Sequence, residues 1–308
     1  MNDNQKIYAI AGPTASGKTE LAVSLALQIG NAEIVNFDSV QIYKGIEIAT
    51  AKPTAEEMSG VPHHLIDYVD PAINYTAQEW SKDAANCIRE IEGRGKTPIL
   101  VGGTGFYLRT LRTPLFESPK TSTEIRERLT QRRSMKGPES LHRILKRLDP
   151  KAAARLEPRD YPRVQRALEV FIQTGERISD LQKRRLPPPE FAARIAVFAL
   201  APPRDELYRI IDERTKRHFD AGLVNEVIQL RNAGLSDSTN ALGSHGYRRV
   251  CEYLRGEKNL DEALEKTKQD VRNYAKRQLS WFRNEKGVIH IPYFGNDGNA
   301  LSAVLNSS

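Results

Sequence analysis

The chain carries the stretch Gly12-Pro13-Thr14-Ala15-Ser16-Gly17-Lys18-Thr19 close to its N-terminus. Two glycines separated by four residues and followed by a lysine and a hydroxyl residue are typical of a loop that cradles phosphate groups. The apolar run 7–11 predicts a buried strand before the loop, and the spacing of apolar residues over 20–29 predicts a helix after it. This order lets the backbone N–H groups of the loop and the helix N-terminus converge on phosphate oxygens.

Two residues of the loop have individual predicted roles. Lys18 is expected to pair with a terminal phosphate, and the Thr19 hydroxyl is expected to hold Mg²⁺. A glycine-rich turn without a ligand is the alternative, and the agreement of both flanks with the pattern disfavours it. The predicted phosphate-binding residues are Gly12, Pro13, Thr14, Ala15, Ser16, Gly17, Lys18 and Thr19.

The charge of the chain is unevenly distributed. Of the net charge of +7, residues 1–110 contribute −4, residues 111–220 contribute +9 and residues 221–308 contribute +2. A basic middle segment beside an acidic phosphate-binding segment favours a polyanionic partner such as nucleic acid. A solvated helical surface rich in arginine is the alternative.

Length and composition indicate one large or two modest domains, because 308 residues can bury a full core. The sequence has no long apolar run, so we expect a cytoplasmic protein without a membrane segment. We also expect a monomer. The two cysteines, Cys87 and Cys251, lack metal-like spacing and are expected to be buried thiols.

Two further predicted strands deliver polar residues to the same edge of a sheet. The run 33–37 is followed by Asp38, and the run 98–101 is followed by Gly102, Gly103 and Thr104. In a parallel α/β sheet, ligands bind outside the carboxyl ends of the strands. Asp38 could serve there as a general base, as an indirect Mg²⁺ ligand or as a cap for the following turn, and the neighbouring phosphate loop favours the first two.

The paired histidines His63 and His64 do not predict a metal site. Adjacent residues on an extended segment point to opposite sides and cannot easily share one ion. We therefore expect both to be positioning or hydrogen-bonded polar groups.

The sequence predicts a helical insertion in the middle of the chain. The segments 124–133, 139–148 and 163–173 are charged, amphipathic and not separated by a predicted strand, and Pro187-Pro188-Pro189 ends them. A strand over 194–201 and helices over 205–221, 224–231 and 260–283 follow, and the tail after Gly295 is expected to fray. The predicted domains are a phosphate-loop core in two parts, 1–120 and 190–308, and a basic helical insertion, 121–189.

Together these features resemble the tRNA dimethylallyltransferase family, also called the tRNA isopentenyltransferase family, over roughly residues 7–285. Seven ordered motifs carry the resemblance: Gly12 to Thr19, Asp38-Ser39-Val40-Gln41-Ile42-Tyr43, Thr50-Ala51-Lys52-Pro53, His63-His64-Leu65-Ile66-Asp67, Gly102-Gly103-Thr104 with Tyr107, Arg163 and Arg166-Ala167-Leu168-Glu169-Val170 with Thr174-Gly175, and Tyr274-Ala275-Lys276-Arg277-Gln278 with Trp281-Phe282-Arg283. The resemblance implies an α/β fold with a phosphate-loop, kinase-like parallel sheet and an inserted all-helical subdomain.

The resemblance also implies an activity and its residues. The family transfers a dimethylallyl group from dimethylallyl diphosphate to the exocyclic N6 amine of the adenosine 3′-adjacent to the anticodon in tRNA, with Mg²⁺ as cofactor. The implied catalytic residues are Asp38, Thr104 and Arg214. The implied tRNA contacts are Asp38, Ser39, Val40, Gln41, Thr104, Arg126, Pro162, Arg163, Val164, Gln165 and Arg166.

The chain departs from the family pattern at several positions. Ala49 stands where glycine is usual, Ile210 and His218 stand where arginine and methionine are frequent, and Val271 stands where threonine is usual. The segment 244–248 is a looser form of a family motif. None of these departures falls in the phosphate loop or at Asp38.

Three other functions fit parts of the sequence. A small-molecule kinase would use ATP in the loop and Asp38 as the base toward an alcohol, but it would not need the basic insertion. A free-adenylate prenyltransferase would share the chemistry with a smaller acceptor. A noncatalytic tRNA-binding module would use the loop as a nucleotide switch.

Overall fold

The central sheet of the computed structural model is parallel, and its strands are ordered β3-β2-β4-β1-β5-β6. The structure describes residues 5–117, 120–137 and 139–307. The strands are β1 (Ile7–Ala11), β2 (Ala32–Asn36), β3 (His63–His64), β4 (Thr97–Gly102), β5 (Ile195–Leu200) and β6 (Val288–Ile291). The α/β fold class with a parallel sheet, predicted from the sequence, is confirmed.

The helices surround this sheet or form a separate group. They are α1 (Lys18–Ile29), α2 (Ala55–Met58), α3 (Ala77–Gly93), α4 (Gly105–Arg112), α5 (Thr123–Lys136), α6 (Glu139–Leu148), α7 (Pro150–Ala153), α8 (Tyr161–Thr174), α9 (Ile178–Leu181), α10 (Arg204–Asp220), α11 (Leu223–Asn232), α12 (Tyr247–Leu254), α13 (Leu260–Asn284) and α14 (Gly298–Asn306). Short 3₁₀ turns lie at Ile48–Thr50 and Ala192–Arg194.

The strand register places the phosphate loop and the other predicted site residues at one edge of the sheet. Strand β1 lies between β4 and β5, and Ala11 pairs with Gly102 of β4. Strand β2 lies on the other side of β4, where Asn36 pairs with Val101. The residues that follow β1, β2 and β4 therefore emerge at the same carboxyl edge, as the sequence predicted.

Two apolar layers cover the sheet. One face packs against α3 through Trp80 and Ile88, and the other packs against α1 through Leu21 and Leu25. Cys87 and Cys251 are buried and unpaired, and burial raises the pKa of each thiol to about 12. In the part of the chain that the structure describes, no helix is long and apolar enough to span a membrane.

The chain forms two compact units by its internal contacts. One comprises Met1–Arg112 with Pro189–Ser308 and contains the sheet, and the other comprises Thr113–Pro188 and contains α5 to α9. The second unit has an apolar core of its own, built around Leu141, Leu145 and Leu168. The helices predicted over 124–133, 139–148 and 163–173 are α5, α6 and α8.

The expectation of a frayed tail after Gly295 is wrong. Strand β6 pairs with β5, and Asp297 caps α14 by accepting a hydrogen bond from Asn299 N at 2.8 Å. Ala300 and Val304 of α14 are buried in the same cluster as the apolar residues of α1. The sequence analysis missed these elements because they are short, with four residues in β6 and nine in α14.

Candidate active site

The backbone of the phosphate loop adopts conformations that require small residues. Gly12 has a φ of 145° and Gly17 has a φ of 79°, in the region that side chains disfavour. A Cβ at Gly12 would also approach Cβ of Leu200 to 3.0 Å. Gly17 is the N-cap of α1, so the loop feeds directly into a helix N-terminus. Ala15 also has a positive φ, 65°, as expected for backbone strain concentrated at a functional loop.

Two cations lie in the loop and its surroundings. Lys18 Nζ donates to the Pro13 carbonyl at 2.6 Å, and burial lowers the pKa of Lys18 to about 8 against the opposing charge of Asp38. Arg214 of α10 donates to the Thr14 hydroxyl. Burial and the nearby charge of Arg217 lower the pKa of Arg214 to about 10. Two partly desolvated cations with nearby phosphate-loop amides favour a polyanion.

Asp38 lies at the carboxyl edge of β2, as predicted. Its Oδ1 accepts hydrogen bonds from Val40 N at 2.9 Å and Gln41 N at 3.3 Å. The carboxylate therefore caps the turn, which the sequence analysis had considered as an alternative to a chemical role. Both bonds use Oδ1, so the cap does not engage Oδ2.

Thr104 is close to the Asp38 turn. Its Oγ1 accepts a hydrogen bond from Ser39 N at 3.1 Å and lies 3.3 Å from Ser39 Oγ. Tyr274 of α13 lies beside this group, with Thr104 and Gln278 as polar neighbours. Burial raises the pKa of the Tyr274 hydroxyl, and the negative charge of Asp38 adds to this effect. The tyrosine therefore stays protonated at neutral pH and can donate a hydrogen bond.

Gln278 connects the phosphate loop to the Thr104 turn. Its Oε1 accepts a hydrogen bond from Thr14 N at 2.8 Å, and its Nε2 donates to the Gly103 carbonyl at 3.0 Å. A Cβ at Gly103 would lie 2.1 Å from Nε2, which explains the glycine there. The sequence analysis quoted Gln278 within a motif but gave it no role. Its position four residues after Tyr274, on the same helix face, was the available signal.

The cavity beside these groups has a volume of about 940 Å³. It is bordered by the phosphate loop and Asp38, and much of its wall is apolar. The apolar part includes Val40, Tyr43, Tyr107, Phe219, Leu223 and Val271. A short hydrocarbon chain attached to a diphosphate is chemically suited to such a cavity.

Several departures from the family pattern lie in this wall. His218 and Ala49 border the cavity, as do Val271 and the looser-motif residue His245. Burial lowers the pKa of His218 and of His245 to about 4, with neighbouring arginines adding to the effect, so both are neutral at pH 7. Tyr247 Oη accepts a hydrogen bond from Ala49 N at 3.2 Å, which fixes the turn that contains Ala49.

The paired histidines have structural partners. His63 Nδ1 lies 2.8 Å from the Val61 carbonyl, and His64 Nε2 lies 2.6 Å from the buried carboxylate of Glu33. Arg94 and Lys96 also pair with Glu33, whose pKa falls to about 2 because these hydrogen bonds outweigh its burial. The described residues contain no group of three His, Cys, Asp or Glu side chains placed to hold a metal.

The chemistry of the loop nevertheless suits Mg²⁺. This ion is commonly held by one or two protein oxygens together with substrate phosphates, so a cluster of protein ligands is not required. Thr19 is half-buried at the start of α1 and offers a hydroxyl oxygen beside the phosphate loop. The loop therefore offers one protein oxygen for such an ion, and phosphate and water oxygens would complete its coordination.

The predicted tRNA-contacting arginines lie in the helical unit. Arg126 pairs with Glu169 at 3.2 Å, Arg163 pairs with Asp160 at 2.6 Å, and Arg166 lies 3.7 Å from Glu169. Arg126 and Arg163 remain 59% and 72% exposed, whereas Glu169 is 3% exposed. The exposed guanidiniums can still meet a polyanion.

The other predicted contacts in this unit occupy the same helix, α8. Pro162 lies in its first turn, and Gln165 Nε2 lies 3.2 Å from Glu169 Oε1. Val164 is buried in the core of the unit, so its side chain points away from any ligand at the surface. Arg126, Gln165 and Arg166 therefore place polar groups near Glu169, and Val164 packs in the core beneath them.

Comparisons with known proteins place this architecture in a family. The model of the IPP transferase family matches residues 41–285. A protein of Geobacter metallireducens named tRNA dimethylallyltransferase is 46% identical over 98% of this chain and 97% of its own length. The crystal structure of a tRNA isopentenylpyrophosphate transferase from Bacillus halodurans is 36% identical, with a TM-score of 0.71 over 98% of this chain and 95% of that one.

A eukaryotic dimethylallyltransferase, described as acting on tRNA, is 28% identical, with a TM-score of 0.77 over 98% of this chain and 78% of that one. The matches span the sheet-containing unit and the helical unit alike. On these findings the chain belongs to the IPP transferase family, the family of the tRNA dimethylallyltransferases.

Proposed function

We propose that this protein transfers a dimethylallyl group from dimethylallyl diphosphate to the exocyclic N6 amine of the adenosine 3′-adjacent to the anticodon in tRNA, releasing diphosphate. The observation that carries the proposal is the meeting of the phosphate loop, Asp38 and Thr104 at one edge of the sheet, beside a cavity whose wall is partly polar and partly apolar. The names of the relatives support both the group transferred and the tRNA acceptor.

The donor half of the reaction needs stabilisation of the leaving diphosphate. The loop amides, Lys18 and Arg214 supply positive charge and hydrogen bonds where negative charge grows as the C1–O bond breaks. Mg²⁺, held through Thr19 and the donor's phosphates, would act as a Lewis acid and stabilise the same growing negative charge. The apolar wall accommodates the dimethylallyl chain.

The acceptor half needs a base, because the lone pair of the adenine amine is delocalised into the ring. As N6 attacks C1 of the donor, the new C–N bond forms and the C–O bond to diphosphate breaks. Asp38 accepts the proton that leaves N6, and the electron pair of the N–H bond returns to nitrogen. Thr104 fixes the turn that carries Asp38 by accepting a hydrogen bond from Ser39 N, and the protonated Tyr274 hydroxyl beside it can donate to the acceptor.

The acceptor base must leave its stack to reach the sheet edge, which favours a single-stranded anticodon loop over a duplex. The Asp38 turn, with Ser39, Val40 and Gln41, is the proposed contact for the extruded adenosine. The helical segment 121–189 is the proposed contact for the RNA around it, through its exposed arginines. We also propose that the enzyme acts as a monomer in the cytoplasm.

The direct test is mass analysis of tRNA nucleosides after incubation with dimethylallyl diphosphate and Mg²⁺. The proposal expects one adenosine per acceptor tRNA to gain a dimethylallyl group at the position 3′ of the anticodon. Parallel reactions with AMP as the acceptor, and with ATP as a donor of phosphate to small alcohols, address the two enzymatic alternatives. Prenylated AMP with unmodified tRNA, or phosphate transfer without prenyl transfer, would overturn the proposal.

A further inference from the structure

The segment that follows the last strand lies directly against the phosphate loop. We call residues 292–297, between β6 and α14, the C-terminal strap. Gly295 N donates a hydrogen bond to the Ser16 carbonyl at 2.8 Å. A Cβ at Gly295 would lie 2.0 Å from the Gly17 carbonyl oxygen, and one at Gly17 would lie 2.9 Å from Gly295 N. The two backbones touch at a point where neither side tolerates a side chain.

This contact fixes the orientation of one loop peptide. The peptide between Ser16 and Gly17 is trans, so its C=O and N–H groups point in opposite directions. Because the Ser16 carbonyl points to the strap, the Gly17 N–H points away from the strap. The N–H groups of such loops are the donors that hold phosphate oxygens.

The strap is itself held on both sides. Ile291 precedes it in β6, and the Ile291 carbonyl accepts a hydrogen bond from Ala201 N at 2.7 Å. After the strap, α14 packs Ala300 and Val304 into the cluster that contains the apolar face of α1. Phe294 and the loop residue Ala15 pack against one small cluster of α10 and α13. The strap is therefore a fixed support for the loop.

We propose that the C-terminal strap is a positioning element of the donor site, in which Gly295 holds the Gly17 amide in the orientation that binds the donor's diphosphate. The inference rests on the proposed binding of dimethylallyl diphosphate in the loop. Gly295 acts through the loop peptide and does not need to touch the donor. A Cβ added at Gly295 would collide with the backbone of Gly17, so the loop would have to move.

The test compares Gly295→Ala with Gly298→Ala. The control glycine lies three residues further along, its φ is ordinary, and an added Cβ there would meet nothing within 4 Å. Binding of dimethylallyl diphosphate, inorganic diphosphate and tRNA is measured for each protein, with kcat, the KM of each substrate and thermal unfolding. We expect Gly295→Ala to bind both diphosphates about tenfold or more weakly and to raise the donor KM, since a charge-assisted hydrogen bond is misplaced.

The expected pattern is specific to the donor. The tRNA affinity of Gly295→Ala should match that of the wild type, and Gly298→Ala should match it in every measurement. If Gly295→Ala lowers thermal stability but its folded form binds diphosphate normally, the strap supports the fold alone and the inference is wrong. A wild-type protein that binds neither diphosphate would instead overturn the proposed function.

A measurement on the wild type covers the case in which Gly295→Ala does not fold. If the strap favours diphosphate binding, diphosphate must in turn stabilise the strap, because coupling between two sites is reciprocal. Hydrogen exchange of residues 292–297 should therefore slow several-fold on adding inorganic diphosphate, whereas exchange in α6 of the helical unit should not change. Protection of the loop with unchanged exchange in the strap would refute the inference.

Discussion

Oε1 of Gln278 accepts a hydrogen bond from the Thr14 amide at 2.8 Å, which ties the long helix α13 to the phosphate loop. The same side chain donates from Nε2 to the Gly103 carbonyl. It is almost fully buried, so water cannot easily replace either partner. One glutamine therefore sets the spacing between the phosphate-binding turn and the Thr104 turn.

Replacing Gln278 by alanine should weaken both stability and donor use. The Gly103 carbonyl still accepts a hydrogen bond from Gly105 N, so only the Thr14 amide loses its partner. A buried group left unpaired costs about 1–3 kcal/mol, so the free energy of unfolding should fall by roughly that amount. The donor KM should rise, because the Thr14 amide loses its fixed orientation. Denaturant unfolding and steady-state kinetics provide the two measurements.

Gln278→Glu sharpens this prediction. Glutamate keeps an acceptor for Thr14 but places an oxygen against the Gly103 carbonyl and a negative charge near the phosphates. Its donor affinity should therefore fall below that of Gln278→Ala. Asn273→Ala, an exposed change on the same helix, serves as the control and should behave as the wild type. Donor affinity that is equal in all four proteins would show that the bridge has no part in donor binding.

Asp38→Asn isolates the proposed base from the turn cap. The asparagine oxygen can still accept hydrogen bonds from Val40 N and Gln41 N, so the turn should persist. Turnover should fall by about 10²- to 10⁴-fold, the usual contribution of a positioned base, with little change in tRNA affinity. Single-turnover prenylation and tRNA binding measure the two effects.

Asp38→Ala removes the cap as well. It should therefore lose additional stability relative to Asp38→Asn, by about 0.5–2 kcal/mol if the cap resembles those of helices. A turnover number for Asp38→Asn that equals the wild-type value would exclude Asp38 as the base.

The sequence predicted those parts of the site that depend on local patterns. The strand, loop and helix around Gly17, and the strands that deliver Asp38 and Thr104, follow from apolar runs and from the rule that parallel strands end at one edge. The contacts of Gln278 with Thr14 and of Gly295 with Ser16 join residues far apart in the chain. No local periodicity encodes such a pairing, so it became visible only in the folded chain.

The pKa of Lys18 gives donor binding a predictable pH dependence. Burial holds this pKa at about 8 in the free site, below the ordinary 10.5, and a bound diphosphate should raise it again. The contribution of Lys18 to donor affinity should therefore be constant below pH 8 and fall above it, by up to about tenfold per pH unit until the pKa of the complex is reached. Calorimetry near pH 8.5 in buffers of different ionisation enthalpy should detect proton uptake on binding.

Lys18→Met is the matched variant for this effect. It should bind the donor more weakly at pH 7 and lose the pH dependence above 8. Lys18 strengthens donor binding but lowers the free energy of unfolding. The unfolded chain binds the Lys18 proton more tightly than the folded chain does, so the charged lysine opposes folding at neutral pH. Lys18→Met should therefore unfold at a higher temperature than the wild type at pH 7. A pH dependence that persists in Lys18→Met would assign it to another group.

Arg163, which is exposed, and the half-buried Arg166 of α8 offer the sharpest test of the proposed RNA contact. Arg163 and Arg166 lie three residues apart and pair with Asp160 and Glu169, so each could serve tRNA or only the helical unit. If both contact phosphates, Arg163→Glu with Arg166→Glu should weaken tRNA binding and reduce the slope of log K against log salt by roughly 0.7 to 0.9 per contact. Filter binding at several salt concentrations measures the slope.

A charge-matched control separates this effect from general repulsion. Arg184 also lies in the helical unit, is 66% exposed and pairs with Glu176, so Arg184→Glu with Lys183→Glu imposes the same change in net charge. The control should leave the salt slope close to the wild-type value, because released counterions report local phosphate contacts. If the double change at Arg163 and Arg166 lowers thermal stability while tRNA affinity and the slope stay at wild-type values, the two arginines steady the helical unit and do not contact RNA.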